Sequence, residues 1–277
     1  MPNDTALDIL WNTMEQDLNR RCSSVGAGVM GYSLCDLTTG KTAKFQEQVV
    51  FPTASTIKIA ILLAVATKVH AGQLDWQSRY NTAGLPKVGG SGILSLLRDP
   101  VELSLWDLSS LMIALSDNDA TNACIDLAGM DYVNSLLSSL GLKKTLLRRK
   151  MMDGEAVLRG DENVSTPEEL MKLVSMIEKR DGIPDAVCKD VLTILSLEKD
   201  GAFTQGLPPH VKRANKPGGL DHVAVDAGLI YLRDRTVALG VMACFVEEKP
   251  TETVADLIRT AYRYLNLISE CTEYGRA

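Results

Sequence analysis

The sequence predicts an α+β fold: an antiparallel five-stranded sheet flanked by N- and C-terminal helices, with an all-helical lobe inserted between its strands. Three observations predict it. Strand-like patterning is confined to two segments near the start and three after Gly201. The long stretch between them carries helical periodicity and helix-capping signals. Each end of the chain has an amphipathic helix able to cover one face of a sheet. The expected division is residues 1–50 and 201–277 for the sheet lobe and 51–200 for the helical lobe, with the active site between them.

Taken in order, residues 4–20 place Leu7, Leu10, Trp11, Met14 and Leu18 on one helical face, after an Asp4 cap. Residues 26–35 and 42–46 read as a hairpin around the turn Asp36–Lys41. Residues 55–71 are apolar almost all round, which predicts a helix buried on most sides. Ser104 caps a helix ending near Leu115, and further helices cover about 120–128 and 131–140. Thr166-Pro167-Glu168-Glu169 is a capping box with proline in the first helical position, opening a helix to about Lys179. Another helix spans roughly 184–197. Val211–Lys216, Val223–Arg233 and Thr236–Glu247 are the late strands, and a helix from about Thr251 to Leu267 closes the chain.

With 277 residues, 45% hydrophobic and 23% charged, the chain has core enough to fold without staples. Its net charge of −6 argues against nucleic acid or an anionic membrane as partner. The longest apolar run, Ile57 to Thr67, is too short to span a bilayer and is interrupted by Lys58. The six cysteines are scattered without ligand spacing and read as buried reduced thiols. Three histidines without HxH or HxxxH spacing predict no zinc site, and no cofactor is expected. The first residues show no basic region and no apolar leader core, so a cytoplasmic location is expected, or export if a leader was removed.

Three short motifs can carry chemistry. Ser55-Thr-Ile-Lys58 opens the buried helix and puts hydroxyl and amine on one face. There the helix N-terminus favours developing negative charge, and apolar surroundings favour a neutral amine that can act as a base. A second copy, Ser196-Leu-Glu-Lys199, opens no apolar helix and reads as a solvated helix end. Ser116-Asp117-Asn118 stands at the end of the Ser104 helix, where such residues also serve as an ordinary helix exit. Lys216-Pro217-Gly218-Gly219 ends a late strand; Lys87-Val-Gly89 and Lys199-Asp-Gly201 share its spacing without that context.

Singly these motifs are common. In this order and context the chain resembles the serine β-lactamase and penicillin-binding superfamily, class A β-lactamases in particular, over most of its length. The resemblance implies Ser55 as the acylated nucleophile, Lys58 as the group that takes or relays its proton, and Ser116 as a shuttle toward the leaving atom. It implies that Asn118 holds the substrate's side-chain amide and the lysine. Lys216 would supply charge for a substrate carboxylate. Gly218 and Gly219 belong to the substrate-binding strand, and the N–H groups of Ser55 and Gly219 form the oxyanion hole.

Two departures stand out. The resemblance implies a loop glutamate about seventeen residues before the Thr-Pro that opens the next helix, followed four residues later by asparagine. Counting back from Pro167 reaches Lys150. Glu155 is the nearest candidate base for deacylation, although Arg159 stands where the asparagine would; Asp153 and Glu162 are weaker options. Pro217 replaces the hydroxyl residue that helps grip a substrate carboxylate, and a proline fits a strand only at a sheet edge. The expected activity is serine hydrolysis through an acyl-enzyme on a small acyl substrate, with β-lactam hydrolysis first. An esterase or D-amino-acid peptidase of the same fold is the alternative. A β-lactam-binding protein acylated without turnover is the reading from another class.

Overall fold

The computed structural model describes residues 5–272 and 275–276. The chain divides into two compact units: Met1–Ala54, Thr166–Ser175 and Asp200–Ala277 form one, Ser55–Ser165 and Met176–Lys199 the other.

The first unit is the sheet. Its strands β1 (Val29–Asp36), β2 (Thr42–Phe45), β3 (Lys212–Leu220), β4 (Val223–Tyr231) and β5 (Thr236–Cys244) lie in the order β2-β1-β5-β4-β3, every neighbour antiparallel. Alternation sets its faces. Met30, Tyr32 and Leu34 of β1 stand opposite Ala243, Val241 and Leu239 of β5. All six pack in one core with Trp11, Met14 and Leu18 of helix α1 (Ala6–Ser23) and Val254, Ile258 and Leu265 of helix α10 (Pro250–Glu270). The short helix α9 (Ala202–Gly206) adds Phe203 to that core. The Asp4 cap lies outside the described residues; Thr5 caps α1 in a reciprocal box with Asp8.

The other face is built for close approach. A Cβ at Gly240 would stand 2.6 Å from the Pro167 carbonyl oxygen and 3.1 Å from the Met171 nitrogen, and one at Gly31 would stand 3.2 Å from the Pro167 ring. Helix α7 (Pro167–Lys179) therefore begins directly on the glycines of β1 and β5. This is why residues 166–175 belong with the sheet, where the sequence division put them in the helical lobe.

The second unit is helical. Helix α2 (Lys58–His70) is buried from Lys58 through Ala66, as an all-round apolar helix must be. It packs against α3 (Leu105–Ala114), α4 (Asn118–Ala128), α5 (Met130–Ser139) and α8 (Asp185–Leu195). The second SxxK departs from its expected setting. Lys199 is buried, its amine turned back to donate to the carbonyls of Leu195 and Leu197, so it closes the end of α8 rather than facing water.

All six cysteines are free thiols, and burial pushes Cys22 and Cys124 up to about 12. Burial raises Tyr32 as well. Below pH 9 these thiols are protonated in both folded and unfolded chain, and nothing is lost. From pH 9 toward 12 only the unfolded chain releases the protons, so stability falls by up to about 1.4 kcal/mol per pH unit per thiol. Urea midpoints are expected to be flat between pH 7 and 8.5 and to drop steadily above 9. A midpoint unchanged at pH 10.5 would contradict that burial.

Candidate active site

Ser55 lies in a 3-10 turn, Ala54–Ile57, and the α-helix begins only at Lys58, so the Ser55 hydroxyl is carried on the tight turn that leads into α2. Ala54 just before it has φ +45°, a left-handed conformation that alanine adopts at a cost. Ser116 occupies the break between α3 and α4, also left-handed at φ +55°. Asp117 caps α4 and Asn118 is its first residue, so Ser116-Asp117-Asn118 is a joint between two helices rather than a helix exit.

The joint brings four sequence-predicted residues together. Ser116 Oγ donates to Ser55 Oγ at 2.8 Å. The fully buried Lys58 donates to Ser116 Oγ at 3.0 Å, to the Ser116 carbonyl at 2.7 Å and to Asn118 Oδ1 at 3.1 Å. Ser55 and Ser116 are half-buried, so the hydroxyl pair is reachable while the amine beneath is not. A continuous path, amine to hydroxyl to hydroxyl, is already made.

A glycine-rich loop holds this arrangement. Asn118 Nδ2 donates to the Gly89 carbonyl at 3.0 Å and Asn118 N to Ser91 O at 3.0 Å. Asp117 Oδ2 accepts from the backbone nitrogens of Ile93 and Leu94, and Asp119 Oδ1 from that of Val88. Sequence reasoning missed this staple and the role of Asp117. The clue available was the cluster Gly89-Gly90-Ser91-Gly92, whose glycines all have positive φ.

Behind the joint, Cys124 is deep in the core beside Ser109, and desolvation keeps its thiol protonated. Asn122, one turn after Asn118, accepts from Met151 N at 2.8 Å and donates to Met151 O at 3.2 Å. The proposed loop acids are placed differently from one another. Glu162 pairs with Arg149 through both carboxylate oxygens. Asp153 caps the short helix α6 (Gly154–Leu158) by accepting from Ala156 N. Glu155 is exposed in the first turn of α6.

In the sheet unit, Lys216-Pro217-Gly218-Gly219 lies inside β3 rather than at its end, since the strand continues to Leu220. Lys216 is buried and donates to the Pro217 carbonyl at 2.9 Å; Gly218 is half-buried and Gly219 exposed. β3 is an edge strand, which is what lets it contain a proline. Pro217 pairs in register with Asp226, and a Cβ at Gly201 would stand 2.6 Å from the Pro217 Cβ, so the ring fills space that Gly201 leaves. Asp226 accepts from Asn215 Nδ2 at 2.8 Å and Phe203 N at 3.0 Å, pinning the strand from below.

The beta-lactamase enzyme family matches residues 13–265. A crystal structure of a beta-lactamase from Sphaerobacter thermophilus is 28% identical, covers 93% of this chain and 98% of that one, and superposes with a TM-score of 0.83. A PBP-A variant in acyl-enzyme complex with penicillin G is 23% identical over 92% of this chain and 96% of its own, at a TM-score of 0.82. A representative of the class A beta-lactamases from Bacteroides cellulosilyticus is 22% identical over 95% of this chain and 99% of its own, at 0.80. The beta-lactamase regulatory protein BlaB of Streptomyces cacaoi is 26% identical over 119 residues, 43% of this chain and only 38% of that protein. This chain belongs to the beta-lactamase enzyme family.

Proposed function

We propose that Ser55 attacks the strained amide of a β-lactam and carries its acyl group as an ester. One observation carries the reading: Ser55 Oγ, Ser116 Oγ and Lys58 Nζ are linked in series at 2.8 and 3.0 Å. Reversing those two hydrogen bonds takes the Ser55 proton through Ser116 toward the amine as the Oγ–acyl bond forms. When the carbon–nitrogen bond breaks, Ser116 returns a proton to the leaving nitrogen. Asn118, fixed by Lys58 and Gly89, keeps its amide at the edge of this path, where a substrate's side-chain amide would be held. The roles given to Lys216, as charge for a carboxylate, and to Gly219, as second oxyanion donor, are part of the same reading. One such donor contributes about 3 kcal/mol to the transition state. The acyl-enzyme seen with penicillin G in the PBP-A variant supports the reading.

A second reading changes only the substrate. The Pro217 ring faces Gly201 and brings no hydroxyl for a carboxylate, which favours esters or peptides that need none. Incubating the protein with a chromogenic cephalosporin and, separately, a p-nitrophenyl ester, while tracking absorbance and intact mass, decides between them. A lactam adduct of one equivalent, with or without turnover, is the expected result. Turnover of the ester with no lactam adduct would transfer the assignment to the second reading.

A further inference from the structure

We propose that acyl-Ser55 is long-lived, because the backbone position fixed beside the Asn118 face of α4 belongs to Met151, a side chain unable to activate water. The inference rests on acylation at Ser55 and concerns the fate of the ester once it has formed. Asn118 and Asn122 are four residues apart on α4 and share one face. Asn118 holds Lys58 on that face; the buried Asn122 grips both the N–H and the carbonyl of Met151. The chain then turns sharply at Met152, with φ +63°. A Cβ at Gly90 would stand 3.0 Å from the Met152 sulfur and 2.7 Å from Asn118 Nδ2, so the loop presses against the same asparagine.

Asn122 thus holds one residue by both its backbone polar groups, next to a left-handed methionine, and fixes position 151 against the helix face that carries Asn118. Asn122 is its positioning residue. The side chain carried at that position is a buried thioether, a weak acceptor that takes no proton from water. The later carboxylates of this loop are engaged elsewhere or solvated: Asp153 on α6, Glu162 on Arg149, Asp161 on Arg159, and Glu155 on the exposed side of α6. Deacylation needs a bond from water oxygen to the acyl carbon, cleavage of the carbon–Oγ bond, and passage of a water proton to Oγ. Without a positioned base that sequence is slow, by about 100-fold or more. The chain would then act on β-lactams as a stoichiometric trap.

The test monitors the penicillin G adduct of the full-length protein by intact mass after removal of free ligand. In the wild type one equivalent should form and persist for many minutes. Met151→Glu should shorten its lifetime about 100-fold, with the gain lost as pH falls through the carboxylate range, while Met151→Gln should change it by no more than a few-fold. Equal acceleration by glutamine would show that the loop had merely been loosened and would overturn the inference. So would rapid multiple turnover in the wild type, especially if Glu155→Gln slowed it. Should Met151→Glu fail to fold, the wild-type lifetime and the Glu155→Gln comparison still decide. Failure of any lactam to form an adduct would sink the acylation reading itself, and this inference with it.

Discussion

Ser55→Ala is expected to remove all covalent labelling by β-lactams and to lower any turnover by at least about 10⁴-fold. The neighbouring Ser116 hydroxyl is not placed to take over. Ser116 Oγ is 2.8 Å away, but its carbonyl and hydroxyl both anchor Lys58, and its left-handed backbone fixes its direction. The substitution removes one half-buried hydroxyl and one hydrogen bond, at about 1 kcal/mol of stability, so the variant should stay folded. Intact mass after incubation with penicillin G, beside a urea midpoint, separates chemistry from folding. Labelling retained at more than a few per cent, in a variant of unchanged midpoint, would place the nucleophile elsewhere.

The residues of that prediction were legible in the sequence because each sits where local rules operate. An apolar helix draws the lysine at its head toward the interior, and Ser104 before an apolar run caps a helix, as it does in a box with Asp107. The sheet was legible for the same reason, its strands alternating between two buried faces. What the sequence concealed lies where two distant segments meet. The loop that carries Gly89 and Gly92 shows only glycines, not the aspartates almost thirty residues later that receive its nitrogens. Asn122 looks like any helical asparagine until Met151, twenty-nine positions on, is found between its two polar atoms. The placement of 166–175 with the sheet depended on Gly31 and Gly240 lacking a Cβ, which reads in sequence only as weak strand propensity. Counting residues back from Pro167 reaches the loop that carries both residues, but only geometry distinguishes an exposed Glu155 from a clamped Met151.

Asp117→Ala is expected to be the most damaging substitution in the helical unit for stability, although the residue touches none of the reacting atoms. The carboxylate is 1% exposed and accepts three backbone N–H groups: Ile93 at 2.7 Å and Leu94 at 2.9 Å on one oxygen, Ala120 at 2.9 Å on the other. Alanine leaves two loop donors and a helix cap unsatisfied, and buried donors without partners are costly, so about 3 kcal/mol or more should be lost. Nothing can refill the space cheaply. Gly92 lies so close that a Cβ there would stand 2.2 Å from Asp117 Oδ2, so the loop is shaped around the carboxylate and not around a smaller group. The loss reaches the chemistry through its neighbours. Once the segment 88–94 lifts away, Asn118 loses the Gly89 and Ser91 contacts that orient it against Lys58, and Ser116 loses the capped helix that holds its φ at +55°. The acylation rate should therefore fall about 100-fold even below the unfolding temperature, the cost expected of displacing reacting groups by an ångström. Asp117→Asn, which keeps one acceptor oxygen, should fall between the two in both measurements. An unfolding free energy from urea titration within about 1 kcal/mol of wild type, or an unchanged second-order rate of penicillin G acylation, would show that the loop is held by other means and that Asp117 is an ordinary helix cap.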